Sequence, residues 1–493
     1  MSVDPRSPCL IGVAQRTWHL AGDQWAPEPL EMAAEVVSAA LADARTTGDV
    51  AGAVGSLDVV YCMSWPYDDF PGRLAERVGL DPARRHYSGI GGTMPQTLLA
   101  AAAERIMASE LEVAVVCGAE ALDTKRRAKK AGERLAWSHR DPDPPPFPFE
   151  APFHPSEVAH EVFQAWLTFA ARDIARRAHE GTDPDAYRAR IGELLAPMSA
   201  VAAANPNAWF PTAHDAAELI TPSADNRMVG YPYTKTMMSI MDVDMAGALV
   251  LASHETADRL GVPPERRVYL RGWAESRDAV YVAEHPDLWR SPAMSWCFER
   301  ALGAAGTDAA GVAHLDLYSC FASSVHFACD ALAIDPLRDD RGVTVTGGLP
   351  YAGGAASNYL AHAVATMADV LRRDPGSLGL VSGVGMHMTK HNAIAYSTAP
   401  GHGLPEPPGP WPEPDARPIS DTWSGPGTVA AYSVVHGRDG SPEWGLVVAD
   451  LPDGTRAYGR VEGGSDLAAM EAEEWVGREV QATPDGQVNR VRS

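Results

Sequence analysis

The chain has 493 residues, 45% hydrophobic and 21% charged, with a formal net charge of -23 at pH 7. That length exceeds one ordinary core and implies two to four domains of soluble globular type. So acidic a whole attracts neither a phosphate backbone nor an anionic bilayer, which argues against nucleic acid and membrane partners and obliges any anionic ligand to find a local basic patch.

The N-terminal "MSVDPRSPCLIGVAQRTW" has no basic segment leading into an apolar one, and no apolar run reaches membrane-spanning length. Cys9, Cys62, Cys117, Cys297, Cys320 and Cys329 form no C-x-x-C pair. Zinc-ribbon spacing is thus absent, no metal site or disulfide framework is expected, and a reducing cytoplasm is the simplest compartment.

Along the chain, the strand-like "CLIGVAQRTW" and the amphipathic helix "PLEMAAEVVSAALADA" come first. The strand "LDVVYC", a helix ending in "LAERVGLD", the Gly-rich "SGIGGTMPQ" with its helix, and the buried strand "LEVAVVCGAEAL" follow. The same series returns later as "VYLRGWAES", "SPAMSWCFERALGAAG", "LDLYSC", "ACDALAID", "TGGLPYAGGAASNY" and "GSLGLVSGVGMHM". Strands alternating with helices imply parallel, helix-covered sheets, and the duplication implies two similar α/β halves, 1–262 and 263–400, sharing a site fed by both Gly-rich turns. In the first turn Thr93 and Gln96 have capping-box spacing, Pro95 suits the first helical turn, and Leu99, Ala102 and Ile106 share a face. In the second, Ser357 can cap a helix whose Leu360, Val364, Met367 and Leu371 share a face.

An insertion at about 122–221 has no counterpart in the second half; it carries "KRRAKKAGERLAWSHR" and the Pro-rich "DPDPPPFPF" and reads as a lid or loop domain. A Pro-rich linker spans 401–419. In 420–493, five strand-like runs punctuated by Asp439-Gly440, Asp453-Gly454 and Asp485-Gly486, with a helix between the third and fourth, suggest a small OB-like barrel. With no basic-aromatic groove, that barrel is assigned to protein contact or to covering an acyl chain.

The segments "IMASELEVAVVCGAEAL", "YPYTKTMMSIMDVDMAGALVL", "LDLYSCFASSV", "TGGLPYAGGAASNY" and "LGLVSGVGM" together resemble the thiolase superfamily. The likeness is to sterol-carrier-protein type thiolases and to type 1 thiolase-like proteins, called acetyl-CoA acetyltransferases, that carry an extra C-terminal domain. It covers about residues 8–400 and implies a duplicated thiolase fold, layered α-β-α-β-α, with an inserted loop domain and a small C-terminal barrel. It also implies a coenzyme A thioester as ligand or substrate, an acyltransferase relationship, a place in lipid metabolism, and either a monomer or a homodimer.

The same register puts the family's nucleophilic cysteine at Gly92, its activating histidine at Gly354 between Gly353 and Ala355, its Asn or His at Tyr318, and its acid/base cysteine near Val381. Without thiol or base, thiolysis and Claisen condensation lose their covalent route. Backbone N–H groups near Gly92 and Gly383 remain to polarise a thioester carbonyl. Thiolase-fold retro-aldolases are similar in carrying Tyr in a Y-D-x-F motif, so Tyr318 is a catalytic candidate for cleaving a β-hydroxyacyl-CoA, although Ser319 replaces the Asp. A third reading is a non-catalytic lipid carrier or assembly subunit.

Among other residues, Cys320 reads as buried filling. His387 is the candidate that could reach the cavity, with Lys390 and His391 assigned mostly to a surface loop. Tyr233 is a candidate wall of an acyl pocket, while Tyr231 and Lys235 shape the chain beside it. In the basic run Lys125, Arg126, Arg127, Lys129, Lys130 and Arg134, the candidates for CoA phosphates are Arg126, Arg127 and Lys130.

Overall fold

A computed structural model describes residues 3–22, 24–148, 153–412 and 414–493. Residues 1 and 2 of the N-terminal segment, residue 149 of the Pro-rich turn, residues 150–152 of the insertion and residue 413 of the linker lie outside the described residues.

Nine strands form one sheet in the order Arg84–Tyr87, Val54–Val59, Val113–Ala121, Asp244–Ser253, Pro8–Thr17, Val268–Arg277, Lys390–Ser397, Leu378–Gly385, His314–Asp316. Read outward from the middle, the two halves give the same series, so the duplication appears as a near-palindrome. They meet where Cys9 pairs with Tyr269 and Leu10 with Val268. Directions correct the expectation of parallel sheets. Val54–Val59 runs parallel to both of its neighbours, and Leu378–Gly385 runs parallel to His314–Asp316. Asp244–Ser253 is instead antiparallel to Val113–Ala121, and Lys390–Ser397 to Leu378–Gly385. The cause is the connection: in the first half the insertion returns the chain against its own strand, and in the second the short turn 386–389 does so, leaving no helical crossover to restore direction.

Alternation along the strands sorts side chains between layers. Val113, Val115 and Cys117 pack on the outer helices Pro29–Asp43 and Phe70–Val78, while Ala114 and Val116 face the central helices Met94–Met107 and Tyr359–Arg373. The expected faces are buried: Leu99, Ala102 and Ile106 on one central helix, Leu360, Val364, Met367 and Leu371 on the other. Pro292–Ala304 and Ala322–Leu332 cover the second half.

The C-terminal region closes into a five-stranded barrel in the order Gly425–His436, Pro442–Asp450, Arg456–Val461, Val488–Arg492, Glu479–Asp485, and back to the first. Its helix, Gly464–Ala472, falls between the third and fourth strands in chain order. Gly440, Gly454 and Gly486 take positive φ at the three Asp-Gly turns. Trp423, Val434, Val447, Ala457 and Trp475 fill the barrel.

Its outer face is also spoken for. Trp444, Leu446, Val448 and Tyr458 pack against Val162, Leu167, Ala171, Ala175, Val282 and Leu288. Met228–Gly230 and Tyr233–Thr234 extend the barrel sheet, with Tyr231 N donating to the Val434 carbonyl at 2.8 Å. Buried Arg177 donates to the Tyr432 hydroxyl at 2.7 Å and to Glu474 at 3.0 Å. The barrel thus packs on the inserted segment, on the residues 228–234 that follow it, and on residues 282–288 of the second half.

Candidate functional site

The two Gly-rich turns meet at the centre. Ser357 Oγ accepts from Gly91 N at 3.0 Å, and Asn358 Nδ2 donates to the Gly118 carbonyl at 2.8 Å, so each half holds the other's turn. Neither expected cap forms. Thr93 has helical backbone angles (φ -84, ψ -15) rather than the extended ones a cap needs, and its side chain accepts nothing. Gln96 instead reaches across the sheet, donating to the Val381 carbonyl at 3.1 Å and to Tyr396 Oη at 3.2 Å. Ser357 is taken by Gly91 and does not cap Tyr359–Arg373.

At Gly92 a Cβ would overlap the hydroxyl of Tyr318 and the carbonyl oxygen of Val384, and would lie 2.8 Å from Tyr318 Cζ. The volume a side chain would enter is thus filled by phenol. Tyr318 is fixed there: its N–H donates to Ser382 Oγ at 3.1 Å, and its ring sits edge-on to Tyr359 with centroids 5.6 Å apart. Burial, seconded by the neighbouring Cys320, pushes its phenol well above the usual tyrosine range, so it is a neutral hydrogen-bond donor at physiological pH.

Gly354 is equally closed, because a Cβ there would run into Ser239 Oγ and lie 3.2 Å from the Ile240 carbonyl oxygen. Gly353 has φ +106, a conformation suited to glycine. No imidazole could occupy 354 without displacing Ser239.

The register along Leu378–Gly385 differs from the expected one by two residues. The backbone against Gly92 is that of Val384 and Gly385; a Cβ on Gly385 would stand 3.7 Å from Gly92 N. Gly383 faces Asn392 and Leu360 instead, and Val381 is fully buried in the core. The strand runs on to Gly385 before turning at Met386, whose φ is +55. The backbone of Gly385 thus lies against Gly92, with Gly383 two residues deeper in the sheet.

Other candidates separate. Tyr233 is fully buried, donates to Asp173 at 2.7 Å and stacks on Phe321, so it belongs to the core and not to a pocket wall. Asp173 also accepts from the Tyr187 hydroxyl at 2.5 Å and meets His326 Nδ1 at 3.0 Å, a hub with no local signature in sequence. His387 lines a cavity of about 190 Å³ with Phe153, Tyr281 and Met386, its Nδ1 lying 3.0 Å from Thr168 Oγ1. Burial lowers its pKa to about 4, leaving a neutral ring. His391, assigned to a surface loop, is buried and meets Asp278 at 2.9 Å. Cys320 is partly exposed, with burial raising its pKa to about 12.

Arg126, Arg127 and Lys130 border an open surface cavity of about 670 Å³ beside Trp25. Arg127 is tied to Asp123 at 2.8 Å and to the carbonyls of Gly22 and Gln24, while Arg126 contacts Asp123 and Asp242. Sequence reasoning missed Glu120, whose buried carboxylate accepts from Met63 N at 2.7 Å and from Ser64 N at 2.9 Å. Burial raises its pKa to about 7. Among the described residues no group of three or more His, Cys, Asp or Glu could hold a metal ion.

Where the two Gly-rich turns meet, the geometry brings together the Gly92 and Gly385 backbone and a neutral phenol, with glycine at 92 and at 354. The family model for the additional C-terminal domain of thiolase-like protein type 1 matches residues 411–487. A monomeric SCP2-thiolase like protein type 1 from Mycobacterium smegmatis is 31% identical, with a TM-score of 0.84 over 100% of each chain. The Ltp2-ChsH2(DUF35) aldolase is 18% identical, with a TM-score of 0.56 over 80% of this chain and 98% of that one. Human mitochondrial 3-ketoacyl-CoA thiolase in complex with CoA is 16% identical, with a TM-score of 0.55 over 80% of this chain and 98% of that one. No curated protein matches the sequence.

Proposed function

The chain belongs to the SCP2-thiolase-like proteins of type 1, and from that premise we propose that it binds an acyl-CoA or related lipid thioester without acting as a thiolase. One observation carries this reading: the Tyr318 hydroxyl fills the volume into which a side chain at position 92 would project. An acyl-enzyme needs a sulfur there and a base beside it; this chain has glycine at 92 and at 354. The N–H groups of Gly92 and Gly385 would meet the thioester carbonyl. Lys130, with the Arg126 and Arg127 pair, would meet the phosphates at the nucleotide end, in keeping with a fold-related thiolase solved with CoA.

The protein on this reading works as a monomer in a reducing cytoplasm. The sheet's outer strand, Arg84–Tyr87, exposes Arg84 and Arg85, a charged edge that disfavours strand-to-strand pairing. The OB-like barrel braces the inserted segment and leaves its remaining surface for a protein partner.

The test is a melting series with CoA, acetyl-CoA and longer acyl-CoA esters, paired with a thiolysis assay on acetoacetyl-CoA. A bound ester at a hundredfold excess over its Kd stabilises by about 2.7 kcal/mol. Stabilisation without turnover supports the reading. Turnover with a trapped acyl-enzyme overturns it, and melting indifferent to every ester removes the ligand class.

A second reading, retro-aldol cleavage of a β-hydroxyacyl-CoA, is favoured by the place of the Tyr318 hydroxyl against Gly92 and by the shared fold with an aldolase. As the C–C bond breaks, the β-hydroxyl proton would pass to the neutral Tyr318 phenol while the phenol's own proton goes to the developing thioester enolate, so that the phenol relays it and ends neutral. Release of a short acyl-CoA from such a substrate, abolished in Tyr318→Phe, would establish it; no release from the unaltered protein would exclude it.

A further inference from the structure

The cavity of about 190 Å³ beside the turn 386–389 combines apolar walls with open polar atoms. Phe153, Tyr281 and Met386 supply the apolar walls, and the His387 ring stands edge-on to Phe153 with centroids 5.3 Å apart. Thr389, also in the wall, is only 5% exposed; its hydroxyl has no hydrogen-bond partner among the described residues and keeps surface open to the cavity. Polar atoms on buried side chains almost always find partners, so one left facing a cavity points to a group that enters it.

His387 supplies a second such atom. Its Nδ1 lies 3.0 Å from Thr168 Oγ1, and that hydroxyl gives its one hydrogen to the Ala165 carbonyl at 2.9 Å, so Nδ1 carries the ring proton. Burial holds the ring neutral, with a pKa of about 4, and Nε2 offers the cavity a lone pair that meets no partner among the described residues. At the mouth, exposed Arg277 has no ion pair among the described residues and presents a fork of donors. The wall's own carboxylates are engaged elsewhere. Glu157 accepts from His154 N at 3.0 Å, from Val282 N at 3.2 Å and from the Tyr458 hydroxyl at 2.6 Å, while Asp278 accepts from Ser291 Oγ and meets His391 Nε2 at 2.9 Å.

The ligand is the complement of these groups. Donors on Arg277 and Thr389 suit a carboxylate, the His387 lone pair suits a hydroxyl, and the three apolar walls suit a carbon body. A phosphate or sulfate, polar on every side, would set its oxygens against those walls. At about 30 Å³ for each non-hydrogen atom, the share of a water molecule in the liquid, the cavity holds about six such atoms. We propose that it binds a short hydroxycarboxylic acid of about three to five carbons, with the carboxylate on Arg277 and Thr389 and the hydroxyl on His387 Nε2. Neither Gly92 nor Tyr318 is among its walls, so the proposal does not depend on the thioester reading.

The test uses the full chain carrying ¹³C-methyl methionine at about pH 7, where a carboxylic acid is ionised. The Met386 signal is assigned by its loss in Met386→Leu. 3-Hydroxybutyrate, butyrate, 1,3-butanediol and 3-hydroxydecanoate are titrated at constant ionic strength. The site predicts a saturable shift of the Met386 signal with 3-hydroxybutyrate. Affinity should be at least about tenfold lower for 1,3-butanediol and in Arg277→Ala, and at least about threefold lower for butyrate and in Thr389→Val. Arg277 is exposed and the Thr389 hydroxyl has no partner to lose, so both variants keep the fold. 3-Hydroxydecanoate, too long to be enclosed, should bind no more tightly than 3-hydroxybutyrate. A stationary Met386 signal, butyrate or butanediol binding as tightly as the hydroxy acid, affinity that climbs with chain length, or an unchanged titration in either variant overturns the proposal. Because the readout is local to Met386, it fails independently of any melting response to CoA esters.

Discussion

Gly92→Cys would place a sulfur at the position that the thiolase resemblance assigns to the nucleophile, and the structure specifies what it meets. The new Cβ overlaps the Val384 carbonyl oxygen and the Tyr318 hydroxyl and lies 2.8 Å from Tyr318 Cζ. The carbonyl belongs to the strand Leu378–Gly385, and the phenol is wedged against Tyr359, so neither withdraws cheaply. Overpacking of this kind costs about 1–3 kcal/mol. Gly92 is not among the positive-φ glycines, so no backbone strain adds to that, and replacing a glycine stiffens the unfolded chain, which offsets about 0.4–1 kcal/mol. The net expectation is a loss of about 1–2 kcal/mol.

The phenol can be separated from the carbonyl by a double-mutant cycle. Tyr318→Ala is itself costly, about 3–5 kcal/mol, because it empties a packed site. In that background the cysteine introduced at position 92 collides only with the carbonyl and partly refills the space, so the double variant should be more stable than the sum of the singles by about 1 kcal/mol. Urea unfolding of the four proteins measures the coupling, and iodoacetamide labelling reports whether the thiol is reachable. Thiolysis should stay absent throughout, since position 354 still lacks an imidazole. Strictly additive energies, together with a Gly92→Cys protein as stable as the parent, would falsify the claim that Tyr318 fills the volume a side chain at 92 would enter.

Three further outcomes are expected. Burial raises the Glu120 pKa to about 7 from an ordinary 4.5, so the folded chain binds this proton more tightly than the unfolded one, and its contribution to stability falls as pH rises through that window, by about 3 kcal/mol in all. His362 and His387, lowered to about 4 by burial, push the other way over part of the same range, so the readout is the unfolding energy of the parent minus that of Glu120→Gln at pH 5 and pH 8; a difference independent of pH would sink the assignment. Arg177→Leu strips a buried partner from Tyr432 and Glu474 and should cost about 1–3 kcal/mol, with hydrogen exchange accelerating first in Gly425–His436; uniform acceleration would mean the barrel is not braced there. Gly354→Ala should destabilise by about 1–3 kcal/mol through Ser239, and Ser239→Gly should recover most of it; no recovery would place the obstruction at the Ile240 carbonyl instead.

How much of this was legible from residues alone depended on whether the cause was local. The duplication was: "LDVVYC" and "LDLYSC" land at mirrored places in the nine-strand order. The barrel was too, because its Asp-Gly turns and alternating runs act within a few residues. Strand direction was not, since it depends on whether a connection crosses over, and the return at 386–389 turns tightly with Met386 and Met388 at positive φ, which no composition announces. The same turn explains the two-residue slip: an apolar pattern shows that a strand is present but not where it stops, so Gly383 stood in for Gly385. Ser239 against Gly354 and Asp173 beneath Tyr233 are contacts between distant segments, invisible to any window along the chain.

The absent cysteine and the present tyrosine were each visible singly, as glycine at 92 and tyrosine at 318, yet their relation was not. In space they are one packing relation: the volume that a side chain at 92 would enter is occupied by the end of Tyr318 from the other half. Close packing penalises a change at either partner alone: a side chain at 92 collides with the phenol, and a shorter residue at 318 leaves a void. A single substitution that places a thiol at 92 therefore arrives already destabilised and still without a base, since Ser239 holds the ground at 354. The packing thus opposes a one-step gain of thiolase chemistry at this position, although the Gly92 and Gly385 backbones lie close together.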